Sequence, residues 1–154
     1  MADRLQKILA PYHDVGPLLL RLALGVIFSA HGSQKLLGWF GGGGLPATTQ
    51  AFAQMGFWPA PLWAFIAALT EFAGGLAVLV GWRTRAAALL LSVVMLMAMF
   101  KVHLPNGFFM NFRLTPGVGH GIEYNVALLG GCLALAFGGP GQYAWDHGSR
   151  RKKG

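Results

Sequence analysis

The feature that most constrains the fold of this sequence is one acidic residue, Glu71, near the middle of an apolar segment. Residues 62–81 read LWAFIAALTEFAGGLAVLVG and contain no other charge. An α-helix of this length is about 30 Å long, which matches the hydrocarbon core of a bilayer. Because a carboxylate inside hydrocarbon costs free energy, such an acid normally faces a bundle interior and has a partner there. We therefore predict a transmembrane helix whose Glu71 points into a helix bundle.

The residues around Glu71 support this orientation. On a helical projection, small residues share the face of Glu71 and bulky residues occupy the opposite face. The small residues are Ala64, Ala67, Ala68, Gly74 and Gly75, and the bulky ones are Leu62, Phe65, Leu69, Leu76 and Val80. Small residues permit close packing between helices, whereas bulky apolar residues suit contact with lipid.

Composition places the chain among integral membrane proteins. Its 154 residues are 55% hydrophobic and only 11% charged, which exceeds the apolar content of ordinary soluble domains. The net charge of +7 does not indicate a nucleic-acid partner, because the basic residues lie at segment ends and in a final RRKK run. Membrane lipid, with anionic headgroups, is the expected partner. The single cysteine, Cys132, excludes an internal disulfide and a CxxC relay.

Three further apolar segments are expected to cross the membrane, at residues 15–37, 86–103 and 122–137. Residues 38–61 and 104–121 are too rich in glycine and proline to span, and Pro46 can begin a short helix in the first of these loops. The predicted fold class is all-α, an integral membrane bundle of four transmembrane helices. We divide the chain into an amphipathic lead-in at 1–14, the bundle at 15–138 and a basic tail at 139–154.

Basic residues predict the orientation of the bundle. Arg4 and Lys7, Arg83 and Arg85, and the RRKK run all fall on one side of the predicted spans. Because short cytoplasmic flanks carry an excess of lysine and arginine, we expect both termini to be cytoplasmic in a bacterial inner membrane. The loops at 38–61 and 104–121 then lie on the outer side.

With this orientation, several polar side chains fall in the outer half of the bundle, above Glu71. They are His31, Lys35, Lys101, His103, His120 and Glu123. Arg21, His31 and Lys35 share one side of the first helix, and either Arg21 or His31 could partner Glu71. Histidine and carboxylate exchange protons, lysine stabilises an oxyanion, and Tyr124, Phe108 or Phe109 could lie against a ring. A quinone headgroup fits a pocket of this kind.

Simpler interpretations stand beside this one. A buried pair of Glu71 with Arg21 or His31 could serve only to fix the register of the helices. Lys35 and Lys101 lie near helix ends, where lysine side chains commonly extend to the interface. His31, His103, His120 and Glu123 are types that ligate metals, but no tight metal-binding spacing connects them, so we predict no metal site.

The sequence also resembles the DoxX family of small bacterial membrane proteins. The resemblance is carried by LLRLALGVIFSAHGSQKLLGWFGG, QAFAQMGFWPAPLWAFIAALTEFAGGLAVLVG, FKVHLPNGFF and GIEYNVALL, and it covers residues 18–137. It implies a four-helix membrane bundle with a shared polar core, carried over here to the following positions: Arg21, His31, Lys35, Glu71, His103 and Glu123. Some members resemble subunits of quinone-linked sulfur oxidation systems, and others associate with oxidative-stress enzymes.

These observations leave three functions open. The first is a quinone-interacting or accessory subunit of a redox or oxidative-stress system. In this function, Glu71 and His31 would accept and donate protons, and Arg21 and Lys35 would balance charge. The remaining residues of the ligand site would be His103, Glu123 and Tyr124. The second is a non-catalytic scaffold or assembly factor whose buried charges are structural. The third is a small transporter or proton pathway. A redox protein partner and a homo-oligomer formed through small-residue surfaces are both compatible with the sequence.

Overall fold

The computed structural model describes residue 4 and residues 10–147. In this part of the chain, five α-helices follow in order: α1 (Val15–Leu37), α2 (Gly44–Gln54), α3 (Ala60–Val80), α4 (Thr84–Ala98) and α5 (Glu123–Gly138). The helical path of α4 continues through a π turn, Met99–His103, and a 3-10 turn, Leu104–Asn106. Three helical stretches are long and apolar enough to cross a membrane, namely Val15–Leu37, Ala60–Val80 and Thr84–Asn106. The all-α fold of a membrane helix bundle is confirmed.

Helix ends follow the local sequence closely. α1 ends where Gly38 adopts φ 75°, and α3 ends where Gly81 adopts φ 78°. A left-handed residue of this kind terminates a helix at little cost only when it lacks a Cβ atom. The predicted first span therefore coincides with α1, and the predicted second span differs from α3 by two residues at its start.

Helix α5 is shorter than the other spans and is completed by a loop. Its 16 residues extend about 24 Å, less than the hydrocarbon thickness. Residues 107–109 fold back over its N-terminus, where the amides of Ile122 and Glu123 donate to the carbonyls of Gly107 and Phe108 at 3.0 and 2.8 Å. The loop at residues 104–121, which we call the outer loop after its predicted side of the membrane, thus supplies acceptors that this helix end would otherwise lack.

Close contact between α1 and α3 forms the centre of the bundle. A Cβ atom added to Gly32 would overlap the backbone of Phe72, and one added to Gly75 would overlap the backbone of Ser29. The two backbones therefore approach through glycines on both helices. The predicted faces of α3 are confirmed, because the Glu71 side is buried while the side with Leu62, Phe65, Leu69, Leu76 and Val80 is exposed.

We call the end of the bundle that carries Arg83 and Arg85 the basic end. Residues 139–147 fold back on the helices there. The carboxylate of Asp146 accepts hydrogen bonds from the amides of Arg83 and Thr84 at 2.8 and 2.9 Å, at the N-terminus of α4. The side chain of Asp14 accepts the amide of Gln142 at 3.1 Å. The first part of the predicted tail is therefore packed against the bundle. Most of the lead-in and the RRKK run lie outside the described residues.

Candidate functional site

At the end opposite the basic end, the helices surround a cavity of about 440 Å³, which we call the main cavity. Its volume falls within the range of about 300–1,000 Å³ typical of small-molecule sites. Side chains from α1, α3, α4 and α5 line it, together with residues of the loop after α4. Its polar lining residues are His31, Lys35, Glu71, His103, His120, Tyr124 and Asn125, and its apolar side chains include Ile27, Phe28, Met95 and Leu128.

The polar centre of the cavity is an ion pair between α3 and α1. Glu71 is only 1% exposed, and its Oε1 lies 2.5 Å from Nζ of Lys35, whose side chain is 38% exposed. The other carboxylate oxygen, Oε2, is buried and has no hydrogen-bond partner among the described residues. A buried carboxylate oxygen without a donor is costly, so this atom is a natural point of contact for a ligand.

The expected pairing of Glu71 with Arg21 or His31 is wrong. Helical projection placed Arg21 on the correct side of α1 but could not fix its depth. Gly32 is the residue of α1 that lies against the backbone of Glu71 and Phe72, so Lys35 is less than one turn away. Arg21 is eleven residues from Gly32, which separates the two along the helix axis by about 16 Å.

Arg21 instead binds backbone carbonyls at the basic end. Its Nε and Nη2 donate to Val78 and Leu79 at 3.0 Å each, and its Nη1 donates to Pro140 at 3.3 Å. These first two carbonyls lie in the last turn of α3, where the helix dipole favours a cation. Arg21 therefore joins α1 to the end of α3 and does not line the main cavity, contrary to its predicted role in a shared ligand site.

Two histidines of the main cavity are oriented by the outer loop. Nδ1 of His103 lies 2.9 Å from the carbonyl oxygen of His120, and because a carbonyl only accepts, this nitrogen carries the proton. The amide of Asn111 donates to Nδ1 of His120 at 3.2 Å. In the neutral rings, Nε2 of His103 is therefore an acceptor and Nε2 of His120 is a donor. The third histidine, His31, lines the cavity from α1.

The structure separates the remaining predicted residues into two groups. Tyr124 lines the main cavity, but Glu123, Phe108 and Phe109 do not. Oε2 of Glu123 instead accepts the amide of Met110 at 3.0 Å, which fixes the loop beside the cavity. Phe108 and Phe109 are exposed and pack edge to face against each other.

Asn125 is a lining residue that the sequence did not indicate as functional. It is buried, and its side-chain amide lies 3.8 Å from the sulfur of Met95, a weak acceptor. Most of its hydrogen-bonding capacity therefore remains available to the cavity. The sequence feature that could have identified it is a carboxamide side chain inside the otherwise apolar run of α5.

A second cavity of about 410 Å³, which we call the side cavity, lies on the other side of the ion pair. It is formed by α2, α3 and α4. Lys35, Glu71, Ala98 and His103 line both cavities, and Lys101 lines only the side cavity. Thr48 joins α2 to the end of α1, because its hydroxyl lies 3.0 Å from the carbonyl oxygen of Lys35 and 2.9 Å from that of Gly44 and can donate its one proton to either.

Chemically, the main cavity combines an apolar wall with groups that gain and lose protons. Lys35 is a donor, Glu71 is an acceptor, and the three histidines can be either. In the residues that the structure describes, no three histidine, cysteine, aspartate or glutamate side chains come together as a metal site. The arrangement suits a flat, largely apolar molecule with polar oxygens.

Comparisons with known proteins agree with the fold. The model of the DoxX family matches residues 16–104. The "Inner membrane protein YqjF" of Escherichia coli (strain K12) is 34% identical over 134 residues, which cover 86% of this chain and 91% of that protein. The "Putative oxidoreductase CatD" of Bacillus subtilis (strain 168) is 33% identical over 98 residues, which cover 64% of this chain and 67% of that protein. No solved structure matches the chain significantly.

Proposed function

The chain belongs to the DoxX family, and from this membership and the main cavity we propose that it is an inner-membrane protein that binds a quinone as an accessory subunit of a redox or oxidative-stress system. The names of the two relatives support the membrane location and the redox setting respectively. The observation that carries the proposal is that Glu71, whose buried Oε2 has no hydrogen-bond partner among the described residues, lines a cavity that three histidines also line.

Each polar residue has a role that its hydrogen-bonding capacity allows. A quinone presents two carbonyl oxygens, which only accept, and its reduced form presents two hydroxyls, which also donate. Nζ of Lys35 and Nε2 of His120 would donate to a carbonyl oxygen, while Oε2 of Glu71 would accept from a hydroxyl. His31 and Glu71 would hold the protons that accompany reduction, and Tyr124 would lie against the ring. Electrons would come from a redox protein partner.

Calorimetric titration of the purified protein with menadione, and anaerobically with its reduced form menadiol, tests this proposal. We expect Glu71→Gln to weaken menadiol binding about tenfold, because a hydrogen bond to a charged group contributes about 1.5–3 kcal/mol. Asp14→Asn is the matched control, since Asp14 lies at the basic end and does not line the main cavity, and its affinity should equal that of the unchanged protein. Absence of binding by the unchanged protein, or equal affinity in Glu71→Gln, would refute the proposal.

The direct contact between Glu71 and Lys35 favours a second function, that of a non-catalytic scaffold or assembly factor. In this alternative the ion pair only fixes how α1 and α3 pack, and protein partners bind elsewhere on the chain. Glu71→Gln would then lower the unfolding temperature while no quinone binds. Purification under mild conditions would return a stoichiometric protein partner, and that partner would remain bound to Glu71→Gln.

A further inference from the structure

Fewer polar residues line the side cavity than the main cavity. Phe52 and Met55, from α2 and the turn after it, face Val94 and Met97 of α4 across the space. Its polar groups are confined to the shared ion pair, His103, Thr48 and Lys101. The one proton of the Thr48 hydroxyl is donated to a backbone carbonyl, that of Lys35 or of Gly44. The walls away from the ion pair therefore offer contact for hydrocarbon and few polar partners.

The mouth of the side cavity is marked by its exposed lining residues, Ala47 and Ala51 on α2 and Lys101 and Val102 after α4. The mouth therefore lies between α2 and the end of α4, on the side of the bundle. The main cavity also has exposed lining residues, His31, His120 and Tyr124, so the two cavities open at different places on the bundle. The opening between α2 and the end of α4 offers a ligand a second route to Glu71, which lines both cavities.

The partition between the two cavities is built partly from flexible side chains. Lys35 and Glu71 stand between them, and Lys35 is a long side chain that is partly exposed. Lys101 lies at the mouth, with Nζ 5.6 Å from the centre of the Phe57 ring. Rotation of the Lys35 side chain would remove one of the side chains that separate the two cavities, without movement of a helix.

We propose that the side cavity binds an alkyl chain, so that the ligand of the main cavity is a membrane-resident compound whose ring and tail lie on opposite sides of the Lys35–Glu71 pair. This inference rests on the proposed function for the identity of the ring, but not for the presence of the chain. It assigns the ligand to the lipid-tailed quinones, of which menadione represents the head group alone.

Photolabelling tests the proposal. Two probes carry a diazirine at the end of a dodecyl chain, one with a naphthoquinone head and one with a plain hydroxyl head. After irradiation in nanodiscs, labelled peptides are identified by mass spectrometry. We expect both probes to label the peptides that contain Phe52, Met55 and Met97, and the naphthoquinone probe to label them at the lower concentration.

Filling the mouth provides the decisive variant. Ala51→Trp should reduce this labelling about tenfold, because the indole ring would displace part of the dodecyl chain from the side cavity. Loss of two buried methylene groups lowers the affinity by roughly that factor. Ala53→Trp is the matched control, since Ala53 is an exposed residue of the same helix that does not line the side cavity, and its labelling should be unchanged. Labelling spread over the lipid-facing side of α3, unaffected by Ala51→Trp, would overturn the proposal.

The outcomes also separate this inference from the proposed function. If menadione fails to bind but the hydroxyl probe labels the side cavity in a way that Ala51→Trp abolishes, the chain site stands and the quinone assignment fails. If menadione binds but Ala51→Trp leaves the naphthoquinone probe's labelling unchanged, the quinone assignment stands and the side cavity is not a chain site.

Discussion

At the scale of single residues, the pair formed by Glu71 and Lys35 joins a buried carboxylate to a partly exposed amine. Glu71 is almost completely buried, and Lys35 is its only ion-pair partner in the part of the chain that the structure describes. Removing one member of a buried pair costs about 3–5 kcal/mol, because it leaves an uncompensated charge, whereas removing both often costs much less.

We therefore predict that Lys35→Met lowers the free energy of unfolding more than the double variant Lys35→Met/Glu71→Gln does. The loss should fall below the range for fully buried pairs, since Lys35 is partly exposed. Chemical unfolding in mixed micelles of the unchanged protein, both single variants and the double variant gives the coupling free energy directly. Additive effects of the two substitutions would show that the pair does not stabilise the bundle.

The same two residues show what the sequence could and could not predict about the site. Hydropathy and the small-residue face were enough to predict that Glu71 points inward. That Lys35 and not Arg21 is its partner was not predictable, because a helical projection gives angles around a helix but not how far along its axis a neighbouring residue lies. Depth here is set by the contact of Gly32 with Phe72. Asn125 was not predicted as a lining residue, because a single carboxamide side chain matches no binding motif.

At the scale of secondary-structure elements, glycine determines how closely α1 and α3 pack. A Cβ atom on Gly32 would meet the backbone of Phe72, which cannot move aside as a side-chain tip could. Gly130 of α5 offers a matched comparison, because a Cβ atom there would meet nothing within 4 Å.

We predict that Gly32→Ala destabilises the protein by about 3 kcal/mol, near the upper end of typical overpacking costs. Gly130→Ala should be neutral or stabilising by roughly 0.5–1 kcal/mol, since alanine is the better helix former. Thermal unfolding in detergent, followed by circular dichroism, distinguishes the two. Equal unfolding temperatures for both variants would contradict the close contact of α1 with α3.

The helices themselves were largely predictable, whereas the loops were not. Apolar length and glycine stops define α1 and α3 to within two residues of the predicted bounds. The outer loop depends on bonds between residues distant in sequence, such as the amide of Ile122 to the carbonyl of Gly107. No local pattern encodes such a pairing, so the placement of His120 over the main cavity could not be read from the loop sequence.

At the scale of the whole molecule, the bundle has two chemically different ends. The basic end gathers Asp14, Arg21, Arg83, Arg85 and residues 140–147. There Asp14 accepts a hydrogen bond from the amide of Gln142, and Asp146 accepts one from the amide of Thr84 at the start of α4. Both cavities lie at the opposite end. Because short cytoplasmic segments of membrane proteins are enriched in lysine and arginine, the basic end should face the cytoplasm.

Cysteine labelling in intact cells tests this orientation. In a Cys132→Ala background, which removes the one native thiol, we predict that a membrane-impermeant maleimide labels Phe112→Cys in the outer loop at once. It should label Gln142→Cys only after the membrane is permeabilised. Both positions are exposed, so differences in labelling reflect the side of the membrane and not burial within the protein. The reverse pattern would place the cavities on the cytoplasmic side, where a quinone-binding site would receive protons from the cytoplasm.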